Sequence, residues 1–177
     1  MRNAIAAFAL VGVAWAGGAV AQQGPGLGVP ATAEQISGWD VSIAPDGSGL
    51  PSGSGTASAG RVVYEAKCLA CHGKEGAGQP NDRLVGGQGT LRDAAPIKTI
   101  GSYWPYATTV FDYVRRAMPY VSPHSLTADE AYALTAYLLA LNGVIGENDV
   151  MNAATLPKVV MPNRDNFDNA YREPRRR

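Results

Sequence analysis

The 177 residues carry 15 Lys plus Arg against 15 Asp plus Glu, a formal net charge of zero, and 46% of them are hydrophobic. That balance excludes the basic footprint of a nucleic-acid binder, and the length fits one domain with extensions. With two cysteines and two histidines in the whole chain, any metal or redox chemistry must be built from very few side chains.

Arg2 gives the chain a positive start, an apolar run follows from Ala4 to Trp15, and small residues lead to Ala19-Val20-Ala21. This is the layout of a secretory signal, residues 1–21, cleaved after Ala21 to leave Gln22 as the mature start. The apolar run is short for a bilayer span. An uncleaved anchor is the alternative; with cleavage no membrane span is expected, and the destination is the periplasm.

Residues 22–59 are dominated by Gly, Pro, Ser and Ala, as in Ser48-Gly49-Leu50-Pro51-Ser52-Gly53. Such a stretch cannot pack a core by itself and reads as an extended arm. Trp39, Val41 and Ile43 interrupt it with apolar groups that an idle linker does not need, so the arm is expected to dock on the domain or on a partner.

The domain is expected over residues 60–143, framed by two helices. The first, Ala59 to Cys68, sets Gly60 one turn before Tyr64. Glycine inside a helix costs about 1 kcal/mol relative to alanine, so a close helix crossing is the expected reason for it.

Cys68-Leu69-Ala70-Cys71-His72 follows at once. C-x-x-C-H is the attachment pattern of c-type haem: each thiol adds to a vinyl group and the adjacent imidazole becomes an axial iron ligand. Export to an oxidising compartment would also allow a disulfide, and a thioredoxin-like pair is the rival, but that fold needs a βαβ pattern that is missing here. One covalently attached haem is therefore expected, on Cys68 and Cys71, with His72 on the iron. Gly73, Gly76, Gly78 and Leu84-Val85-Gly86-Gly87 form a loop able to pass close to a porphyrin, and Pro80 is a candidate carbonyl for the Nδ1 proton of His72.

A short helix is expected from Ala107 to Arg116, with Val110, Phe111 and Val114 on its apolar face. Tyr103, Trp104 and Arg115 or Arg116 are candidates to bind haem propionates, because a partly buried carboxylate needs donors or a counter-charge. Met118, in a Met118-Pro119 turn before the closing helix, is the favoured sixth ligand of the iron; His124, Met151 and Met161 are the other candidates. His/Met ligation raises the potential and suits an electron acceptor.

Thr127-Ala128-Asp129-Glu130 has the capping-box pattern that opens a helix, with Ala131, Leu134, Leu138 and Leu141 on one face and Gly143 as its stop. Tyr137 lies beside that face and is expected to meet Tyr64. Residues 144–177 show little periodicity, yet Val150, Met151, Leu156, Val159, Val160, Met161 and Phe167 are too apolar for a solvated tail. This irregular tail is expected to wrap the domain or cover a partner.

The arrangement resembles the class I cytochromes c, with Gly60 and Tyr64 matching the small-then-aromatic pair of their first helix and Met118 the position of their methionine ligand. The expected fold is all-α with an arm and a tail. The strings Gly101-Ser102-Tyr103-Trp104-Pro105-Tyr106-Ala107-Thr108-Thr109 and Asp112-Tyr113-Val114-Arg115-Arg116-Ala117-Met118-Pro119 carry a closer likeness. So do Ser125-Leu126-Thr127, Tyr132 to Leu138, Leu156-Pro157-Lys158, Met161-Pro162-Asn163-Arg164-Asp165 and the arm from Trp39-Asp40 to Gly55. These are similar to the cytochrome subunit of the Sox sulfur dehydrogenase. The resemblance implies a molybdenum-containing, sulfite-oxidase-like partner subunit that delivers electrons one at a time, and a downstream cytochrome or oxidase. Well-known members carry two haems, whereas this chain has one C-x-x-C-H, so sulfite and protein-bound sulfane sulfur are both open as the ultimate donor.

No acid, base or nucleophile cluster suggests bond chemistry by the chain itself. An electron-transfer subunit of a sulfite or sulfur dehydrogenase is the leading expectation, and a free-standing periplasmic carrier to a terminal oxidase is the alternative. A gas or peroxide sensor would require an open iron position.

Overall fold

The closing helix organises the fold. In the computed structural model, which describes residues 27–168, seven helices or strands appear in chain order, joined by short 3-10 turns. They are α1 (Ala33–Trp39), β1 (Ser54–Thr56), α2 (Ala57–Lys67), α3 (Leu69–His72), α4 (Ala107–Ala117), α5 (Ala128–Leu141) and β2 (Val150–Asn152). The expected signal segment, residues 1–21, and the final arginines lie outside the described residues, and among those described no helix is long and apolar enough to cross a membrane.

Helix α5 starts where its capping box places it. The Thr127 hydroxyl accepts from Glu130 N at 3.2 Å, and the Glu130 carboxylate accepts from Thr127 N at 3.0 Å. Its other end closes at Asn142, with Gly143 in the left-handed region at φ 67°. Every residue from Ala131 to Leu139 is buried, so α5 is enclosed on all sides rather than along one stripe. Helices α2 and α4 cover part of it, and the arm and tail cover the rest.

Helix α2 crosses α5 at close range. A methyl group at Gly60 would run into the backbone of Ala133 and lie 2.8 Å from Tyr137 Cβ. The small residue lets Tyr64 and Tyr137 meet with ring centroids 5.4 Å apart, and Lys67 reaches Glu130 at 2.6 Å. The helix begins two residues earlier than its sequence pattern suggests, because the Thr56 hydroxyl caps it by accepting from Ala59 N at 3.3 Å.

The core crosses both limits expected for the domain. In the arm, Ile43 is buried, Thr108 donates to the Pro45 carbonyl at 3.1 Å, and the Tyr132 hydroxyl donates to the Pro51 carbonyl at 2.9 Å. In the tail, Met151, Leu156 and Met161 are buried in the same cluster. Arm and tail are joined by an antiparallel pair, Ser54↔Asn152, Gly55↔Met151 and Thr56↔Val150. The chain is thus helix-rich with one small two-stranded sheet that joins arm and tail, and the tail packs against the domain. The outer arm differs too: residues 33–39 form a capped helix with no buried residue, and Trp39 is 89% exposed.

Candidate functional site

A cavity of about 430 Å³ opens between α2, α3, α4, α5 and the loops 81–100 and 118–121, within the usual size of a small-molecule site. Its walls are largely apolar, with Ile100, Val110, Val114, Leu134 and Leu138 among them, and they carry Cys68, Cys71, His72 and Met118. The four residues singled out from the sequence therefore meet in one place.

Helix geometry arranges the first three. His72 N donates to the Cys68 carbonyl at 2.9 Å, so one turn brings Cys68, Cys71 and His72 to the cavity together. Neither thiol is paired with the other in the structure, and both line the cavity. Burial pushes the Cys68 thiol up to about 11, keeping it protonated at neutral pH.

His72 Nδ1 lies 2.9 Å from the Asp82 carbonyl oxygen. A carbonyl can only accept, so Nδ1 carries a proton, which leaves Nε2 as the nitrogen available to ligate a metal. The partner is Asp82 rather than the expected Pro80, for a local reason. Asn81 N binds the Cys71 carbonyl at 2.9 Å and Gln79 N binds the Asn81 carbonyl at 2.7 Å, so the loop is folded back and presents the Asp82 carbonyl to the imidazole.

Tyr64 braces the same turn by donating its hydroxyl to the Gly73 carbonyl at 2.8 Å. Burial pushes this phenol up to about 12, so it remains a donor.

Met118 reaches the cavity at the end of α4, where its N–H still bonds the Val114 carbonyl. Met151 and Met161 are buried in the core away from the cavity wall, and His124 is exposed and also off it. Among the described residues, Met118 is the only methionine that lines the cavity.

The candidates for propionate contact separate clearly. Trp104 is on the cavity wall. Tyr103 is not: it packs edge-on against Phe167 at 5.4 Å. Arg115 and Arg116 are also off the wall, and Arg116 pairs with Asp112. The cationic side chains that do line the cavity are Lys67, Arg83 and Lys98, of which the last two had no periodic or motif signal because they sit in irregular loops.

The sequence reading also missed Asn142. Its side chain donates to the Leu84 carbonyl at 3.2 Å and the Leu138 carbonyl at 2.8 Å, and accepts from Gly86 N at 3.1 Å. Thr99 adds a bond to the Gly86 carbonyl at 2.5 Å. These bonds fasten the wall formed by residues 84–100 to the end of α5. A helix-ending Asn is common, so no sequence signal marked this one.

The donor set suits a covalently held haem: two unpaired thiols, an imidazole with its Nε2 free, and a thioether, in an apolar cleft with cations among its lining residues. Residues 55–138 match the family described as cytochrome c oxidase, cbb3-type, subunit III. A chain in the crystal structure of the sulfane dehydrogenase SoxCD from Paracoccus pantotrophus is similar over 84% of this chain and 73% of that one. It has 44% sequence identity and a TM-score of 0.80. Among curated proteins, none matches.

Proposed function

The chain belongs to the cytochrome c family, as a relative of the Sox sulfur dehydrogenase cytochrome, and we propose that it is a periplasmic mono-haem electron acceptor for a molybdenum-containing sulfite or sulfur dehydrogenase subunit. Haem c is what the family implies, and when bound it supplies a one-electron iron couple. One haem, attached through Cys68 and Cys71 and ligated by His72 Nε2 and Met118 Sδ, is the reading that the lining of the cavity supports. Export through residues 1–21 belongs to the same proposal.

The observation that carries it is the convergence of Cys68, Cys71, His72 and Met118 on one cavity. The chain's own residues have limited tasks. Asp82 and Tyr64 fix the histidine turn, apolar side chains supply most of the walls, and the loop after Met118 adds Tyr120 and Val121, which line the cavity and are exposed. On this reading, oxidation of the sulfur substrate falls to a partner. The electrons then pass to a downstream cytochrome or oxidase.

The test is optical. Ferric protein is mixed with sulfite in the presence and absence of the molybdenum protein from the same periplasm. Reduction only when that protein is present is the expected result. Absence of reduction with sulfite and with a sulfane-sulfur carrier alike would overturn the assignment of the donor.

A further inference from the structure

We propose that Arg83 and Lys98 are the counter-charges for the two haem propionates and that together they hold the iron couple at a raised potential. This rests on the haem reading above and extends it to residues that the sequence left unassigned.

Three cationic side chains line the cavity, Lys67, Arg83 and Lys98. Lys67 is already engaged by Glu130 at 2.6 Å. Arg83 and Lys98 form no ion pair among the described residues. Two uncompensated cations therefore match two carboxylates in number.

Their placement is fixed by the backbone. Ile100 N donates to the Leu84 carbonyl at 3.3 Å, which brings the segment carrying Lys98 alongside the segment carrying Arg83. The Asn142 and Thr99 bonds to Leu84 and Gly86 fasten this pair of segments to α5. Both side chains are exposed, while Ile100, Leu134 and Leu138 behind them are buried. A porphyrin seated against those apolar residues would keep its charged edge toward solvent, where a carboxylate loses less hydration.

Neither cation is consumed by its local contacts. Arg83 uses Nε on the Ala77 carbonyl at 3.3 Å, leaving its terminal nitrogens to form the paired donors that suit a carboxylate. Lys98 Nζ stands 5.0 Å from the centre of the Tyr103 ring, which is off the cavity wall; this contact leaves its N–H groups unused, so the flexible side chain can turn to a propionate. Asp82 is the one acid among the residues lining the cavity, and its backbone carbonyl is bound to His72.

The electrostatic consequence has a definite sign. A propionate without its counter-charge stabilises ferric over ferrous iron, so loss of either cation lowers the midpoint potential.

The experiment uses the full haem-loaded chain and spectroelectrochemical titration of wild type, Arg83→Gln, Lys98→Gln, the double variant, Lys98→Arg and Arg92→Gln. Arg92 is off the haem cavity wall, in a surface cleft that Lys98 also borders, so it controls for removal of a nearby charge that does not line the cavity. Expected are a lower potential in each Gln variant at the cavity, a larger drop in the double variant, recovery in Lys98→Arg and little change in Arg92→Gln. Haem content and the far-red band should stay at wild-type levels throughout. An unchanged potential in Arg83→Gln or Lys98→Gln, or an equal drop in Arg92→Gln, would overturn the proposal and leave the haem reading intact. A wild-type protein that takes up no haem would overturn that reading instead.

Discussion

Replacing Gly60 by alanine tests the helix crossing on which the cavity depends. In an isolated helix the change would stabilise by about 1 kcal/mol, since alanine is the better helix former. Here the added methyl meets the backbone of Ala133 and approaches Tyr137 Cβ to 2.8 Å, and a helix backbone cannot move aside as a flexible side chain can. The helices must separate, at a cost of about 1–3 kcal/mol for overpacking. Loosening of the Tyr64–Tyr137 pair adds about 0.5–1.5 kcal/mol. The net loss is about 1–3 kcal/mol, or a fall in Tm of roughly 4–12 °C for a domain of this size. Thermal unfolding of the haem-loaded protein, followed by far-ultraviolet circular dichroism, reads it directly. A Tm equal to or above wild type would show that propensity outweighs contact and that the crossing is looser than described.

Leu156→Ala should destabilise by about 2–5 kcal/mol, because Leu156 is fully buried in the core although it belongs to the tail; denaturant unfolding checks this, and a loss below about 0.5 kcal/mol, as at a surface site, would contradict it. Glu130 should contribute pH-dependent stability. Its hydrogen bond from Lys67, and then the one from Thr127 N, hold its carboxyl below the ordinary 4.5, so its contribution is present above that value and disappears as the pH falls through the lower folded-state value. Glu130→Gln should therefore lower stability at pH 7, with the gap to wild type closing in acid; a gap that is constant with pH would refute the linkage.

Much of the site was legible because its chemistry is local. C-x-x-C-H needs one helical turn, and Cys68, Cys71 and His72 are brought together by that turn alone. Thr127 and Glu130 are likewise three residues apart, and the capping box they form is visible in the sequence. Gly60 was readable as an anomaly, a helix residue that lowers propensity without a local reason. Features that depend on distant partners were less visible. The strand Val150–Asn152 is three residues long, too short to display alternation, and it exists because Ser54–Thr56 pairs with it. The Asp82 carbonyl was missed because every residue has a carbonyl, and only the fold of the 79–82 loop selects one. Arg83 and Lys98 were overlooked for a similar reason, since a cation in a loop reads as solvated until the loop is placed. Arg115 and Arg116 were candidates because a partly buried carboxylate needs a counter-charge, but their places on α4 leave them off the cavity wall.

The central claim is that one haem is held covalently by Cys68 and Cys71 and ligated by His72 and Met118. Its most direct test is the intact mass and ferric absorption spectrum of the wild type and Met118→Ala, both produced with a haem-attachment system. The account predicts one haem per chain in both proteins, with the far-red charge-transfer band present in the wild type and lost in the variant. A wild type without covalent haem, or a variant with that band unchanged, would contradict it.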